Sequence, residues 1–287
     1  MRQLEFLEPK TLAEACSLLS KYKDEAKLIS GGQSLIPILK LRLISYKYLI
    51  DLKGIRKLNF IRENSDCLSI GALATEREIE TSVIIKKYSP IITEAVHTIG
   101  SVQIRNWGTI GGSLAHADPA GDLGPVLMAL GARVKAKSAR GEREISLEEY
   151  FIDYFQSALE PAEILTEVTV PYLPSKSGSV YTKEIHRTGD TGICSMAVVV
   201  SLNGNDEIKK ASIVLGCQSR TPIRAINTEK AAIGKKASDS MRELEKTIVK
   251  ETNPAADMLG SIEYKVDLAR ITIKQALPEA IRRAQAT

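Results

Sequence analysis

Two short glycine-rich stretches carry the clearest chemistry in this 287-residue chain. The first is Ser30–Gly31–Gly32–Gln33–Ser34. The second is Thr109–Ile110–Gly111–Gly112–Ser113, which runs on through Leu114–Ala115–His116–Ala117–Asp118–Pro119–Ala120–Gly121–Asp122. A residue without Cβ lets a ligand approach the main chain, and successive N–H groups in such a turn can converge on one anion. Two turns of this kind, far apart in sequence, point to one extended phosphate-containing ligand held from two sides. Thr109 and Ser113 add hydroxyls, and Asp118 and Asp122 flank Pro119 in a loop where a carboxylate can accept hydrogen bonds from sugar or ribityl hydroxyls. Helix capping is the competing role for Asp122. His116 has two open readings, a polar ligand contact or a ring satisfied by main-chain groups.

Other chemistries are excluded by what is missing. There is no G-x-G-x-x-G and no Gly-Lys-Ser/Thr, so neither a dinucleotide fingerprint nor a P-loop is present. His97, His116 and His186 stand far apart, with no H-x-x-x-H or H-E-x-x-H, which argues against a metal site. Cys16, Cys67, Cys194 and Cys217 form no C-x-x-C and no iron–sulphur or zinc spacing. They read as small buried hydrophobes. No serine or cysteine sits in a nucleophile elbow. Aromatics are only 5% and the net charge of +4 is spread among acidic residues, so a stacking nucleic-acid reader is not expected. No apolar run approaches the ~18 residues of a membrane span. The N-terminus, Met1–Arg2–Gln3–Leu4–Glu5, lacks an apolar leader. A cytoplasmic protein is expected.

The elements that must position these residues follow from periodicity. Thr11 with Glu14 caps a helix whose apolar face is Leu12, Ala15, Leu18 and Leu19. Ala26–Lys27–Leu28–Ile29–Ser30 is a strand entering the first glycine pair, an apolar helical piece follows from Leu35, and Tyr48–Leu49–Ile50–Asp51–Leu52 is another strand. Residues 1–55 are thus expected to form a β-α-β unit. Residues 56–173 form a second unit, with a capping box at Thr75 and Glu78, helical pattern from Val83 to Ile99 broken at Pro90, and a strand ending at Pro171. Asp122 is expected to cap the helix beginning at Leu123. Pro174–Ser175–Lys176–Ser177–Gly178–Ser179 reads as a linker. Residues 179–287 then show three strands, at 180–187, 193–202 and 208–217, followed by helical segments at 223–235, 241–250 and 266–284. Strands followed by helices suggest an α+β module. Lys183 and Arg187 precede Thr188–Gly189–Asp190–Thr191–Gly192, and either face a ligand or are surface cations of an edge strand.

The quoted motifs, together with Gln103–Ile104–Arg105–Asn106, resemble the FAD-binding medium subunit of the molybdenum hydroxylases, the family of aerobic-type carbon monoxide dehydrogenase and xanthine dehydrogenase. The resemblance covers nearly the whole chain. It implies an α+β chain: a two-subdomain FAD-binding fold of the vanillyl-alcohol-oxidase type, plus a C-terminal α+β domain with a three- to four-stranded antiparallel sheet. It also implies that the main chain of Leu28, Ile29, Ser30, Gly31, Gly32, Gln33, Ser34 and Leu35, and that of Thr109, Ile110, Gly111, Gly112 and Ser113, lies against the diphosphate. Asp122 would meet the ribityl region or diphosphate-bound water, and Ile99, Leu165 and Lys183 would touch FAD. The implied partners are a large molybdopterin subunit and a small subunit with [2Fe-2S] clusters, in a dimer of heterotrimers that is cytoplasmic or peripheral at the inner membrane face. Two departures stand out: Thr191 replaces an aromatic that can cover the flavin, and Trp107 replaces a smaller or basic residue.

Overall fold

A computed structural model describes residues 4–287; the first three residues of the N-terminal stretch read above lie outside it. The first unit holds β1 (Glu5–Leu7), α1 (Leu12–Tyr22), β2 (Ala26–Ile29), α2 (Leu35–Lys40) and β3 (Tyr48–Asp51). Its strands form a parallel sheet in the order β1-β3-β2. The expected face of α1 is the buried one, centred on Ala15 and Leu19, and Thr11 accepts from the Glu14 N–H. Glu14 does not close the box on Thr11. Its carboxylate takes the Lys10 N–H instead, at 2.8 Å.

The second unit is larger. It comprises β4 (Ile61–Glu63), β5 (Cys67–Gly71), α3 (Glu76–Thr81), α4 (Val83–Tyr88), α5 (Pro90–His97), α6 (Val102–Arg105), α7 (Ile110–His116), α8 (Leu123–Ala129), β6 (Arg133–Ser138), β7 (Gly141–Ser146), α9 (Leu147–Tyr150), β8 (Phe151–Asp153), β9 (Gln156–Ser157) and β10 (Ile164–Pro171). Five strands make an antiparallel sheet in the order β4-β5-β10-β6-β7. The capping box at Thr75 and Glu78 is complete, and Pro90 starts α5 where its missing N–H costs nothing. Every residue of α8 is buried. A helix apolar all round needs cover on all sides, and α8 finds it by packing on the strands Cys194–Leu202 and Ile208–Gly216 of the third unit as well as on α5 and α7.

That third unit consists of β11 (Ser177–Glu184), β12 (Cys194–Leu202), β13 (Ile208–Gly216), β14 (Ile223–Arg224), α10 (Ile226–Ala232), α11 (Arg242–Val249) and α12 (Ile262–Gln285). Its sheet is antiparallel, in the order β11-β12-β13-β14. Nine consecutive residues of β12 are buried, because α12 covers one face and α8 the other. Two expectations need correction. Ser177, Gly178 and Ser179, read as linker, are the first residues of β11; their small size lets the α12 backbone come close. The helix expected from 223 begins only at Ile226, because Ile223 and Arg224 pair with Leu215 and Val214 as an edge strand.

One ion cluster fixes the segment leading to the second glycine motif. Glu80 of α3 accepts from Arg105 Nε at 3.0 Å and Nη2 at 3.1 Å, from Arg77 Nη1 at 2.8 Å, and pairs with His97 Nδ1 at 2.8 Å. Arg105 Nη1 also donates to the Ile99 carbonyl at 2.8 Å. Burial opposes ionisation of Glu80, but the hydrogen bonds from Arg105, Arg77 and His97 outweigh it and hold the carboxyl at about 2. Glu80→Gln, which leaves Arg105 buried with a neutral partner, is therefore expected to cost about 3 kcal/mol at pH 7 in urea denaturation. A depressed folded-state value stabilises above the unfolded-state value and is lost below it. The gap between wild type and variant should narrow as pH falls from about 4.5 toward about 2; a gap independent of pH would contradict this.

Candidate FAD site

The two glycine motifs meet. Ser30, at the end of β2, bonds through Oγ to Thr109 Oγ1 at 3.0 Å. The approach is closer still at the main chain: a Cβ on Gly31 would lie 2.2 Å from the Trp107 carbonyl oxygen. Thr109 is the N-cap of α7 and accepts the Gly112 N–H at 3.1 Å. Gly111 and Gly112 thus lie in the first turn of a helix, whereas the sequence suggested a turn. A Cβ on Gly112 would meet only the two hydroxyls, Ser30 Oγ and Thr109 Oγ1, each at 2.9 Å.

The main-chain donors of the two motifs differ. From Gly31 to Ser34, the N–H groups donate to no other group among the described residues, and Gly32 takes φ 72° to turn the chain. In the second motif the N–H groups from Ile110 to Ser113 are engaged. Ile110 donates to Ala74 O at 3.1 Å, Gly111 to Ala72 O at 2.9 Å and Ser113 to Thr109 O at 2.9 Å. Free amides for an anion therefore come from residues 31–34 and Thr109, and the Thr109 hydroxyl of the second motif reaches Ser30 beside the first. The flanking residues divide. Leu28 and Leu35 are half-buried, Gln33 is exposed and folds its amide back to Gly31 O at 3.1 Å, and Ile29 is buried with Leu39 and Leu49.

A second cluster lies where units two and three join. Asp122 is buried. It accepts from Tyr181 Oη at 2.5 Å and from Lys183 Nζ at 3.0 Å, and it makes no side-chain cap on α8, correcting that expectation. Lys183 is no surface cation: its side chain is 4% exposed, and Nζ also donates to Thr98 O at 3.3 Å, beside half-buried Ile99. Burial pushes the Asp122 carboxyl up, while Lys183 and the Tyr181 hydrogen bond pull it down. Burial, then the Asp122 charge, puts the Tyr181 phenol well above its ordinary value. Asp118 accepts the Ala120 N–H at 2.9 Å. His116 packs tilted against Phe155, ring centres 5.1 Å apart, and burial keeps its imidazole below the usual value despite Asp118. Leu165 is sealed in the core of the second unit, and Arg187 is exposed beyond the end of β11.

Sequence reasoning missed Tyr181, Glu76 and the Glu80–Arg105 pair. Tyr181 and Lys183 are two apart on one strand, so they share a face; that spacing was a usable signal. Glu76 and Glu80 carried none, because their partners are distant in sequence. Cys217 also lies here, at φ 63°. Burial and then the Asp122 charge push its thiol up to about 12, which leaves no thiolate for nucleophilic work.

Two glycine motifs brought together between two α/β units, joined by a third unit that sends a lysine to a buried carboxylate, make the candidate site for an extended ligand. Residues 2–173 match the family described as the FAD binding domain in molybdopterin dehydrogenase, and residues 179–280 the CO dehydrogenase flavoprotein C-terminal domain. The glyceraldehyde dehydrogenase medium chain of Sulfolobus acidocaldarius is 34% identical over 96% of this chain and 98% of its own. The carbon monoxide dehydrogenase medium chain of Afipia carboxidovorans is 34% identical over 98% of both chains. Reconstituted CO dehydrogenase from Oligotropha carboxidovorans contains a chain that superposes with a TM-score of 0.95, at 32% identity over 98% of each chain. The chain belongs to the FAD-binding family of the molybdopterin dehydrogenases, and is an FAD-dependent oxidoreductase subunit. The expected α+β fold and FAD as cofactor are both borne out.

Removing Lys183 should expose how much Asp122 depends on it. In Lys183→Met the carboxylate keeps only Tyr181 as a partner, and unfolding stability is expected to fall by about 3–5 kcal/mol. Losing the cation raises the folded-state value of Asp122 further. A raised value stabilises at low pH and is lost as pH rises, so the deficit should be larger at pH 8 than at pH 5. An equal deficit at both would show that the side chain acts by packing alone.

Proposed function

We propose that this chain is the electron-transfer subunit of a molybdenum hydroxylase complex most like aerobic carbon monoxide dehydrogenase. A large subunit with molybdopterin would oxidise the substrate, and a small subunit with [2Fe-2S] clusters would carry electrons to this chain, in a dimer of heterotrimers. When bound, FAD takes up electrons and passes them to an external acceptor, bridging one- and two-electron carriers. The residues of this chain bind and orient it. The amides of Gly31, Gly32, Gln33 and Ser34 are the donors for its diphosphate, with Ser30, Thr109 and Ser113 hydroxyls opposite and Gly112 leaving room. Asp122, held by Lys183 and Tyr181, faces the ribityl region. Ile99, beside the Thr98 carbonyl that takes Lys183, borders the ring system. His116 and Asp118 lie at the rim.

The single observation that carries this reading is the union of the two glycine motifs at Ser30 and Thr109, with the amides of the first left unengaged. No helix among the described residues is long and apolar enough to cross a membrane, which fits a complex in the cytoplasm or on the inner membrane face. The four cysteines, at 16, 67, 194 and 217, lack the spacing of a cluster, so the iron–sulphur carriers belong to another chain. The substrate is the large subunit's concern: relatives equally identical to this chain are named for glyceraldehyde and for carbon monoxide.

The test is composition. A tagged version of this chain, purified from its own cells, should bring down FAD together with iron and molybdenum. FAD alone would favour a stand-alone flavin oxidoreductase, and metals without FAD would favour a flavin-free assembly subunit.

A further inference from the structure

Glu76 is the buried carboxyl that the site as described leaves without a task. It opens α3, and its own N–H donates to the Gly108 carbonyl at 2.8 Å, next to the bridge between Thr75 and Thr109. The side chain turns back beneath Gly108: a Cβ there would lie 2.6 Å from Glu76 Oε2. Gly108 in turn lies against Gly31, whose Cβ would fall 2.9 Å from the Gly108 Cα. The carboxyl therefore sits one residue's thickness behind the joint between the two glycine motifs. It is 5% exposed, and Oε2 is sealed from solvent with no hydrogen-bond partner.

We propose that Glu76 is a proton-linked positioning residue of the FAD site: as the neutral acid it backs the Gly108 corner of the cradle, and its ionisation sets a negative charge behind the diphosphate and loosens the dinucleotide. This rests on the reading that residues 31–34 hold the diphosphate. The charged groups around Glu76 favour the neutral form. Asp122, at the start of α8, opposes a second negative charge. Arg105 of α6 attracts one, but its guanidinium is already engaged by both Glu80 oxygens and by the Ile99 carbonyl. On α3 itself, Glu78 is turned to Thr75 and Glu80 to Arg105. Lys183, the nearest cation to Asp122, is committed to it. Burial first, and then the Asp122 charge, raise the Glu76 carboxyl to about 7 against the pull of Arg105. An unpartnered buried carboxylate is costly, so the proton is retained up to that point.

A diphosphate placed on the other side of Gly108 raises it further, since like charges resist each other. Binding then takes up a proton, and by linkage affinity must fall as pH rises through the ligand-free value. If only the neutral acid binds, Kd rises by about tenfold between pH 6 and pH 8. Gln at position 76 keeps the shape and loses the proton.

The experiment is a pH series of FAD affinity on the purified full-length protein in the assembly in which it is isolated, after mild removal of flavin. Fluorescence of unbound FAD is the readout, so turnover does not enter. Wild type should show Kd rising at least about fivefold from pH 6 to pH 8, with uptake of a proton seen by an indicator dye near pH 7. Glu76→Gln should bind at all pH values with a flat profile. A flat wild-type profile, or the same slope in Glu76→Gln, would overturn the proposal. If the variant does not fold, the dye measurement on wild type decides alone, and no proton uptake overturns it. Gly112→Val, which crowds the cradle without touching Glu76, should lose FAD at every pH. Loss of FAD there alongside a flat wild-type profile would discard Glu76 and keep the cradle; full retention of FAD would discard the cradle itself.

Discussion

The structure depends on a contact between two chain segments that have no Cβ to keep them apart. Gly31 meets the Trp107 carbonyl, Gly112 meets the hydroxyls of Ser30 and Thr109, and those hydroxyls bond to each other at 3.0 Å. This contact brings the end of the parallel sheet of the first unit against the helix that follows the lead-in of the second. A side chain at Gly31 would run into the Trp107 carbonyl, and one at Gly112 would push aside the Ser30 and Thr109 hydroxyls. The chain turns at the first motif with Gly32 at φ 72°, and the N–H groups of residues 31–34 donate to no other described group.

The second requirement is charge. Three buried or nearly buried carboxylates lie around the cradle, and each is dealt with differently. Glu80 is saturated by cations and stays ionised; Asp122 is shared between a cation and a phenol; Glu76 has no partner and keeps its proton near neutrality. The first positions the segment that carries Ile99 and the lead-in to Thr109. The second ties the third unit to the other two, since Tyr181 and Lys183 come from β11. On the proposed electron-transfer role, the chain needs no acid–base pair for a substrate. Its electrostatics serve to hold the cofactor and tune it.

Much of this was legible in the residues. The β-α-β unit, the capping box at Thr75, the helix break at Pro90 and the terminal strands followed from local periodicity and cap chemistry, which are properties of neighbouring residues. The meeting of the two glycine motifs was suggested by their shared composition, and the structure brings them together at Ser30 and Thr109. What escaped depended on partners distant in sequence. Asp122 looked like a helix cap because capping is local; its true partners lie on a strand in another unit. The amides of Ile110 and Gly111 looked free because nothing nearby claims them, yet Ala74 and Ala72 do. Ser177 to Ser179 looked like a linker because small polar residues usually are, and only the packing of α12 makes a strand of them.

The most direct test of the account is a crystal structure of the flavin-loaded protein. It should place oxygens of the FAD diphosphate within about 3.2 Å of main-chain nitrogens in residues 31–34, across from Ser30 and Gly112, with the Ser30–Thr109 contact preserved. A diphosphate bound elsewhere, with those four amides turned to solvent, would contradict it.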